Sequence, residues 1–433
     1  MRILQAYRFA LDPSPRRERA MRAHLGARRF AYNWGLALVK ARLDARARDD
    51  DVEVPYTLSA LRREWNRAKE TVAPWWREHS KEAYSSGLDA LARGLRAFFD
   101  SRDRKRQRRR VAFPVFRKKG RPRQSVRFTT GAIGVADRTH IVLPRLSTIR
   151  THEPTTALVE RIAAGSARIL TATLSCEGDR WFVSFTCEVD RVPGRPARPA
   201  SVVGVDAGVN HLAVLSTGEA VPNPRPLHGA LRRIARLHRT MARRTRGSGR
   251  WQQTRRQLAR TYRRAACIRA DTMHKLTTRL ARTYGTIVVE RLHVAGMMRN
   301  RRLARAIADA GLGALRRKLR YKCQWYGSRL IEADTFFPSS KLCSRCGTAK
   351  ATLALSERVF RCEHCGAVVD RDLNAAANLA ALVAATAGSG PEASNARGRD
   401  VRLDAVEQSR RNREAGSGWP HQTGTLMPQG VSA

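Results

Sequence analysis

The sequence predicts an α/β multidomain protein: a small antiparallel β-barrel with an inserted helical module, followed by an α/β domain that carries a four-cysteine insert. Three observations lead there. Segments before residue 200 alternate apolar and polar residues with period two, and residues 16–110 between them have helical period instead. From Ser201 onward, short apolar runs that end in acids are separated by long helical stretches. Cys343, Cys346, Cys362 and Cys365 then form two C-x-x-C pairs with fifteen residues between them, the spacing of a structural zinc site.

Length and charge bound the function. A chain of 433 residues holds two or three domains. Lys and Arg number 83 against 37 Asp and Glu, a net charge of +46. Self-repulsion at that excess destabilises a compact fold unless a polyanion neutralises it, so nucleic acid is the expected partner and a membrane surface the weaker alternative. No run of about 18 apolar residues is present. MRILQAYRFALDP lacks the apolar core of a signal peptide. The expected location is therefore cytoplasmic, nucleoid-associated in a prokaryote. In that reducing setting the eight cysteines are not a disulfide framework. Cys176, Cys187, Cys267 and Cys323 stand singly and read as small buried apolar residues.

In chain order, Ile3, Gln5, Tyr7, Phe9 and Leu11 face one way and Arg2, Leu4, Ala6, Arg8 and Ala10 the other, a strand ended by Pro13 and Pro15. A helix from about Arg16 places Met21, Leu25, Tyr32, Leu36, Val39 and Leu43 on one side and Arg17, Arg22, Arg28, Arg29 and Lys40 on the other. Thr57 caps a second helix over 57–70, and a third runs from Ser80 to Asp100. Residues 102–123 carry twelve Arg or Lys and one acid, with Pro114, Gly120 and Pro122 forbidding a continuous helix. A disordered linker would not need Phe113, Val115 and Phe116, so this stretch reads as a basic loop lying along a phosphate backbone. Val126–Phe128, Ile141–Leu143, Ile169–Ser175 and Trp181–Val189 are strands, the last two a hairpin around Glu177–Arg180. Pro193, Gly194, Pro196 and Pro199 mark a linker at 190–200.

The second domain opens with Val202–Asp206, then Leu212–Leu215, then basic helical sequence over 227–284 with Leu258, Tyr262, Met273, Leu276, Leu280 and Tyr284 on its buried side. Thr286–Glu290 is a buried strand, 302–326 helical, Arg329–Ala333 a strand, and a helix follows from about Asp372 to Ala384. Residues 386–433 have no period and read as a disordered tail.

Three acids recur in one kind of place: Asp206 and Glu290 end buried strands, and Asp372 begins a helix after the cysteine insert. Acids at neighbouring strand ends converge on one sheet edge, and three carboxylates together need a cation. Mg²⁺ or Mn²⁺ suits oxygen ligands, and two ions about 4 Å apart can stabilise the attacking and leaving oxygens of a phosphodiester displacement. Each acid alone has a plainer explanation: Asp206 before Gly208 as a turn residue, Glu290 paired with Arg291, Asp372 as a helix N-cap. All three in so basic a chain favour a nuclease. Four thiolates fill a zinc ion's tetrahedral shell and leave no position for water, so the expected single Zn²⁺ is structural.

GVDAGVNHLAVLS, IVVERLHVAGMMRNRRLARAIAD, WYGSRLIEADTFFPSSKLCSRCG and FRCEHCGAVVDRDLNAAANLA resemble the TnpB family, the RNA-guided endonucleases of prokaryotic insertion sequences related to type V CRISPR effectors. RFAYNWGLAL and VAFPVFRKK are similar to the same family, and the resemblance covers roughly residues 1–385. It implies an oligonucleotide-binding-like wedge domain (1–15 and 111–200) with an inserted recognition module (16–110). A RuvC-type, ribonuclease-H-like domain (201–340 and 369–385) with a zinc-finger insert (341–368) would follow. It also implies the catalytic triad Asp206, Glu290 and Asp372. Asp372 is preferred to Asp370 because it stands in a D-x-N-A-A setting, Asp372–Ala376, with Asp370 the nearest alternative. Arg291 departs from the acid that many members carry after the glutamate, outside the triad.

The function so implied is cleavage of double-stranded DNA beside a short transposon-associated motif, by a monomer carrying a guide RNA from the transposon end. Two rivals are a guided repressor that no longer cuts, against which the three acids count, and a transposase that joins strands itself.

Overall fold

The computed structural model describes residues 1–387 apart from 50, 103–109, 120–122, 336 and 355. The chain forms two compact units, Met1–Val192 with Arg236–Thr261, and Pro193–Ala235 with the chain from Tyr262 onward. The sequence had grouped 236–261 with the nuclease domain.

In the first unit, β1 (Arg2–Asp12) leads into α1 (Pro15–Arg46), α2 (Leu58–Val72), a 3₁₀ turn (Pro74–Glu78) and α3 (Lys81–Arg102). Then come β2 (Arg123–Phe128), β3 (Gly134–Val135), β4 (His140–Leu143), β5 (Ser147–Thr151), α4 (Thr156–Ala163), β6 (Ala167–Glu177) and β7 (Arg180–Asp190). The seven strands form one sheet in the order β2-β6-β7-β1-β5-β4-β3, antiparallel at every pairing. β1 lies centrally, in register with β7 from Arg2↔Asp190 to Leu11↔Trp181.

Pro15 does not end the strand; it is the first residue of α1. Its missing N–H falls where a helix has no internal partner, and Ser14 caps the turn. Thr57 caps α2 as expected, its Oγ1 accepting from the Ala60 N–H at 3.2 Å. The three helices do not close a core of their own. Met21, Leu36, Leu88 and Leu91 share one apolar cluster with Phe128, Leu174 and Phe185 of the sheet. Buried Glu82 of α3 adds a polar tie, accepting from the Thr129 N–H (2.9 Å) and both hydroxyls of Thr129 and Thr130 (2.6 and 3.0 Å). In the basic stretch, Phe113 packs edge-on against Phe98 at 5.0 Å, whereas Val115 and Phe116 are exposed.

The second unit contains β8 (Arg198–Asp206), β9 (His211–Leu215), β10 (Ala220–Pro222), α5 (Pro226–Ala242) and α6 (Gly249–Thr283), the two helices running through the unit borders. β11 (Tyr284–Glu290), α7 (Val294–Met297), α8 (Ala304–Ala310), α9 (Leu312–Tyr326) and β12 (Arg329–Ala333) follow. The chain then forms β13 (Val359–Arg361), β14 (Val368–Asp370) and α10 (Arg371–Ala387). The main sheet has the order β10-β9-β8-β11-β12, with β8, β11 and β12 parallel.

The sheet is covered on both faces. Val203, Val205, Ile287 and Val289 point into a cluster with Met273, Leu276 and Leu280 of α6 and Leu315 and Leu319 of α9. Val202 and Val288 face the other way, onto Leu379 of α10.

Several expectations change. The helical stretch 227–284 is two helices, and 302–326 breaks at Gly311 into α8 and α9. β8 begins at Arg198, inside the predicted linker, because Gly285 and Pro199 bring backbones together there. Tyr262 and Cys267 are exposed, not buried. α10 continues to Ala387, past the expected start of the tail, and the tail beyond it lies outside the described residues.

Candidate active site and cysteine cluster

Asp206 and Glu290 are the last residues of β8 and β11, which run side by side in parallel with Val205 opposite Val289. The two acids therefore sit at the same height at the C-terminal edge of the sheet. By alternation they share the face of Val202 and Val288, the face that α10 covers. Asp372 lies in the first turn of α10. Gly204 brings that helix so near: a Cβ there would lie 1.9 Å from the Ala376 carbonyl oxygen and 2.6 Å from the Ala380 nitrogen. With no side chain between them, the backbones of α10 and β8 touch, and the start of the helix arrives beside the end of the strand.

The charges register this proximity. Burial pushes the Asp206 carboxyl up to about 8, and Glu290, Asp372 and Asp370 push the same way while Arg371 opposes them. Burial also raises Glu290, against a hydrogen bond from the Ser339 hydroxyl that favours its carboxylate. Asp372 pairs with the guanidinium of Arg371 at 3.0 Å. The structure thus brings all three predicted acids to one place. They are looser than the cysteines described below, the one group among the described residues in which three or more potential ligand atoms lie within 4.8 Å of one another.

Asp370 and Asp372 separate cleanly. The Asp370 carboxylate accepts from the N–H groups of Asp372 (2.9 Å) and Leu373 (3.0 Å), so Asp370 caps α10 and is exposed. The capping role that could have explained Asp372 belongs to its neighbour.

Three positioning residues escaped the sequence. Ser339 donates to Glu290, and its own carbonyl accepts from Asn378 at 2.8 Å. The side-chain amides of Asn374 and Asn378, both buried, donate to the Leu342 carbonyl at 2.6 and 2.7 Å, and the Asn374 side-chain oxygen accepts from the Ser344 N–H at 2.9 Å. Two asparagines one turn apart on α10 thus clamp the strap 339–344, which joins Glu290 to the first cysteine pair. The D-x-N spacing was the available signal for Asn374.

The four cysteine sulfurs converge. Cys343 and Cys365 are 3.7 Å apart and Cys346 and Cys362 3.6 Å, far beyond a disulfide bond. All four sulfurs lie within 4.8 Å of one another, and a regular tetrahedron with an edge near the two shorter distances would have its centre about 2.3 Å from each corner, the Zn–S length. Gly347 and Gly366, at φ 76° and 67°, let the chain turn back so that their N–H groups reach the Cys343 and Cys362 carbonyls. A hydrogen bond with the Thr348 hydroxyl brings the Cys346 thiol down to about 6, whereas Cys365, despite the Ala367 N–H, is pushed up to about 12 by the sulfurs around it. Crowded thiols that cannot all ionise alone are the donor set a soft divalent cation neutralises.

The features define an α/β domain with clustered carboxylates at one sheet edge and a four-thiol insert docked on its last helix. Residues 184–301 match the family model described as "Probable transposase", 313–379 the "Cas12f1-like, TNB domain", and 1–48 a "Helix-turn-helix domain" that here spans β1 and the single helix α1. A Mycobacterium tuberculosis protein named provisionally as an RNA-guided DNA endonuclease is 41% identical over 87% of this chain and 86% of its own. The similarly named InsQ of Escherichia coli K12 is 31% identical over 88% of this chain and 92% of its own. The chain belongs to the TnpB family. Among solved structures, the protein of a Cas12f1–sgRNA–target DNA complex aligns with TM-score 0.46 and 14% identity over 88% of this chain and 99% of that one, a likeness too distant to carry more. No helix among the described residues is long and apolar enough to cross a membrane.

Proposed function

We propose that the protein is an RNA-guided DNA endonuclease of a transposable element, cutting double-stranded DNA beside a short motif as a monomer bound to its guide RNA. The observation that carries this reading is the in-register placement of Asp206 and Glu290 with α10 delivering Asp372 beside them. The five-stranded sheet with α10 serves as the RuvC-type domain, the antiparallel sheet as the wedge, α1–α3 as the recognition module, and the cysteine insert as a structural zinc finger. An all-oxygen donor set of three mutually repelling carboxylates fits two Mg²⁺ or Mn²⁺ ions. Such ions, when bound, supply charge stabilisation at the phosphodiester and a lowered water pKa. The chain's own part is to hold them. Asp206 and Glu290 are fixed by strand register, Ser339 orients one oxygen of Glu290, and Arg371 offsets charge at Asp372.

The protein with its flanking RNA, matched DNA and Mg²⁺ tests the assignment. Asp372→Ala is expected to lower cleavage by about 10²-fold or more, while Asp370→Ala keeps cleavage and lowers stability by about 1 kcal/mol through the lost cap. The reverse pattern would move the metal ligand to Asp370, and undiminished cleavage by both variants would end the reading. RNA-dependent DNA occupancy with no cutting by wild type would make the protein a guided repressor instead.

For the insert, metal analysis is expected to find about one zinc per chain, falling to near zero in Cys343→Ser, with an earlier thermal transition. Wild-type protein that melts identically before and after zinc is stripped would remove the structural role.

A further inference from the structure

The first unit holds a cleft of about 320 Å³ whose polar walls are Arg28 and Arg29 of α1, Arg117 and Lys118 of the basic stretch, and Gln124 and Ser125 of β2. Four cations line it and no acid does. None of the four has an ion-pair partner among the described residues. The nearby acid that could serve Arg28, Asp89, is already paired with Arg93 at 2.7 Å. Arg28 is not on the exposed helix face that its spacing suggested. It is largely enclosed, its Nε has no hydrogen-bond partner, and burial with Arg117 and Arg93 beside it brings its pKa down to about 10.

Arg117 is held in place from two sides. Its N–H donates to the Asn33 side-chain oxygen at 2.8 Å and its carbonyl accepts from the Asn33 amide at 3.1 Å. Its guanidinium stacks 3.6 Å from the centre of the Tyr32 ring. Tyr32 and Asn33 are successive residues of α1, so a helix fixes both the backbone and the head group of a residue in a stretch without regular structure. This is the arrangement of a prepared anion site: donors held before the ligand arrives, in a recess where their charge is poorly screened. A guanidinium fork matches tetrahedral phosphate oxygens, and an amide and a hydroxyl add neutral donors.

We infer that this cleft binds one backbone phosphodiester group of a nucleic-acid strand, with Arg28, Arg117 and Lys118 as its charged contacts and Asn33 and Tyr32 positioning Arg117. The inference shares with the proposed function only that nucleic acid is a partner, and it involves none of the carboxylates.

Ethylation interference on the full-length protein in EDTA tests it with nuclease chemistry silent. One probe is the RNA that co-purifies with the protein, transcribed anew and sparsely ethylated on its phosphates. The other is a matched DNA duplex treated likewise and offered to the protein–RNA complex. Wild type is expected to show a phosphate whose ethylation blocks binding. In Arg117→Gln that one position loses its effect, affinity falls about tenfold, and the slope of log K against log salt drops by about one. The arm in which this happens names the strand, RNA or DNA. Lys118→Gln, at an exposed residue, repeats the test in case the Arg117 variant melts early. Unchanged interference patterns, affinities and salt slopes in both arms with either folded variant would overturn the assignment.

Discussion

Asp206→Asn is expected to abolish cleavage, by about 10³-fold or more, while making the metal-free protein more stable near pH 8. Both effects come from one placement. Asp206 ends a buried strand beside two further acids, and its carboxyl sits at about 8, from an ordinary value of 3.8. Between about pH 4 and 8 the folded chain therefore holds a proton that the unfolded chain has lost. Stability contributed by this group is complete below pH 4 and drains away as pH rises through 8. Asparagine has nearly the same shape and carries no charge, so the drain stops. Asp206 is partly, not fully, enclosed, so the gain is about 1–3 kcal/mol at pH 8 rather than the full equivalent of the shift. Denaturant melts of both proteins in EDTA, at several pH values from 4 to 9, measure it. The curves should coincide at the acid end and diverge upward. Parallel curves would mean that Asp206 is not under electrostatic pressure, and the clustering argument would fail with it.

Gly204→Ala is expected to cost about 3 kcal/mol or more, near the upper end of what overpacking does, because no flexible atom can give way. The added carbon would meet the Ala376 carbonyl oxygen at 1.9 Å and the Ala380 nitrogen at 2.6 Å, both helix backbone. Either α10 is displaced from β8 or the second unit loosens, and in both cases Asp372 leaves Asp206 and cleavage is lost. Gly229 of α5 provides the control, since a Cβ there meets nothing within 4 Å. Gly229→Ala is expected to be neutral or to stabilise by about 0.5–1 kcal/mol through helix propensity. Thermal melts and limited proteolysis of the two variants compare them directly. If Gly204→Ala melts with wild type, the close approach of helix and strand is not what assembles the site.

The strands that carry the site were legible because burial imposes a pattern on them. Val202–Asp206 and Thr286–Glu290 are apolar runs with an acid at one end, and both acids stand where that reading put them. What burial does not pattern could not be read. Asp370 and Asp372 are alike in sequence, and only the direction of two N–H groups shows that the first caps the helix and the second does not. Ser339 lies in an aperiodic stretch and acts through one hydroxyl and one carbonyl, neither of which leaves a pattern. β5, Ser-Thr-Ile-Arg-Thr, was missed because one apolar residue in five is too few for a period. On α1, arginine recurs so often that spacing alone could not single out Arg28 as the enclosed one. The carboxylate-bearing sheet was thus readable in outline, and the polar contacts that refine it were not.

The asparagine clamp on α10 has a consequence for how the protein comes into being. Asp206 and Glu290 are in place once β8 and β11 have paired, but Asp372 follows a cysteine insert that must fold and be gripped by Asn374 and Asn378. Asp372 is thus the last of the three acids to emerge from the ribosome. A chain halted before Asp372 would carry two of the acids that the proposed centre uses and lack the third.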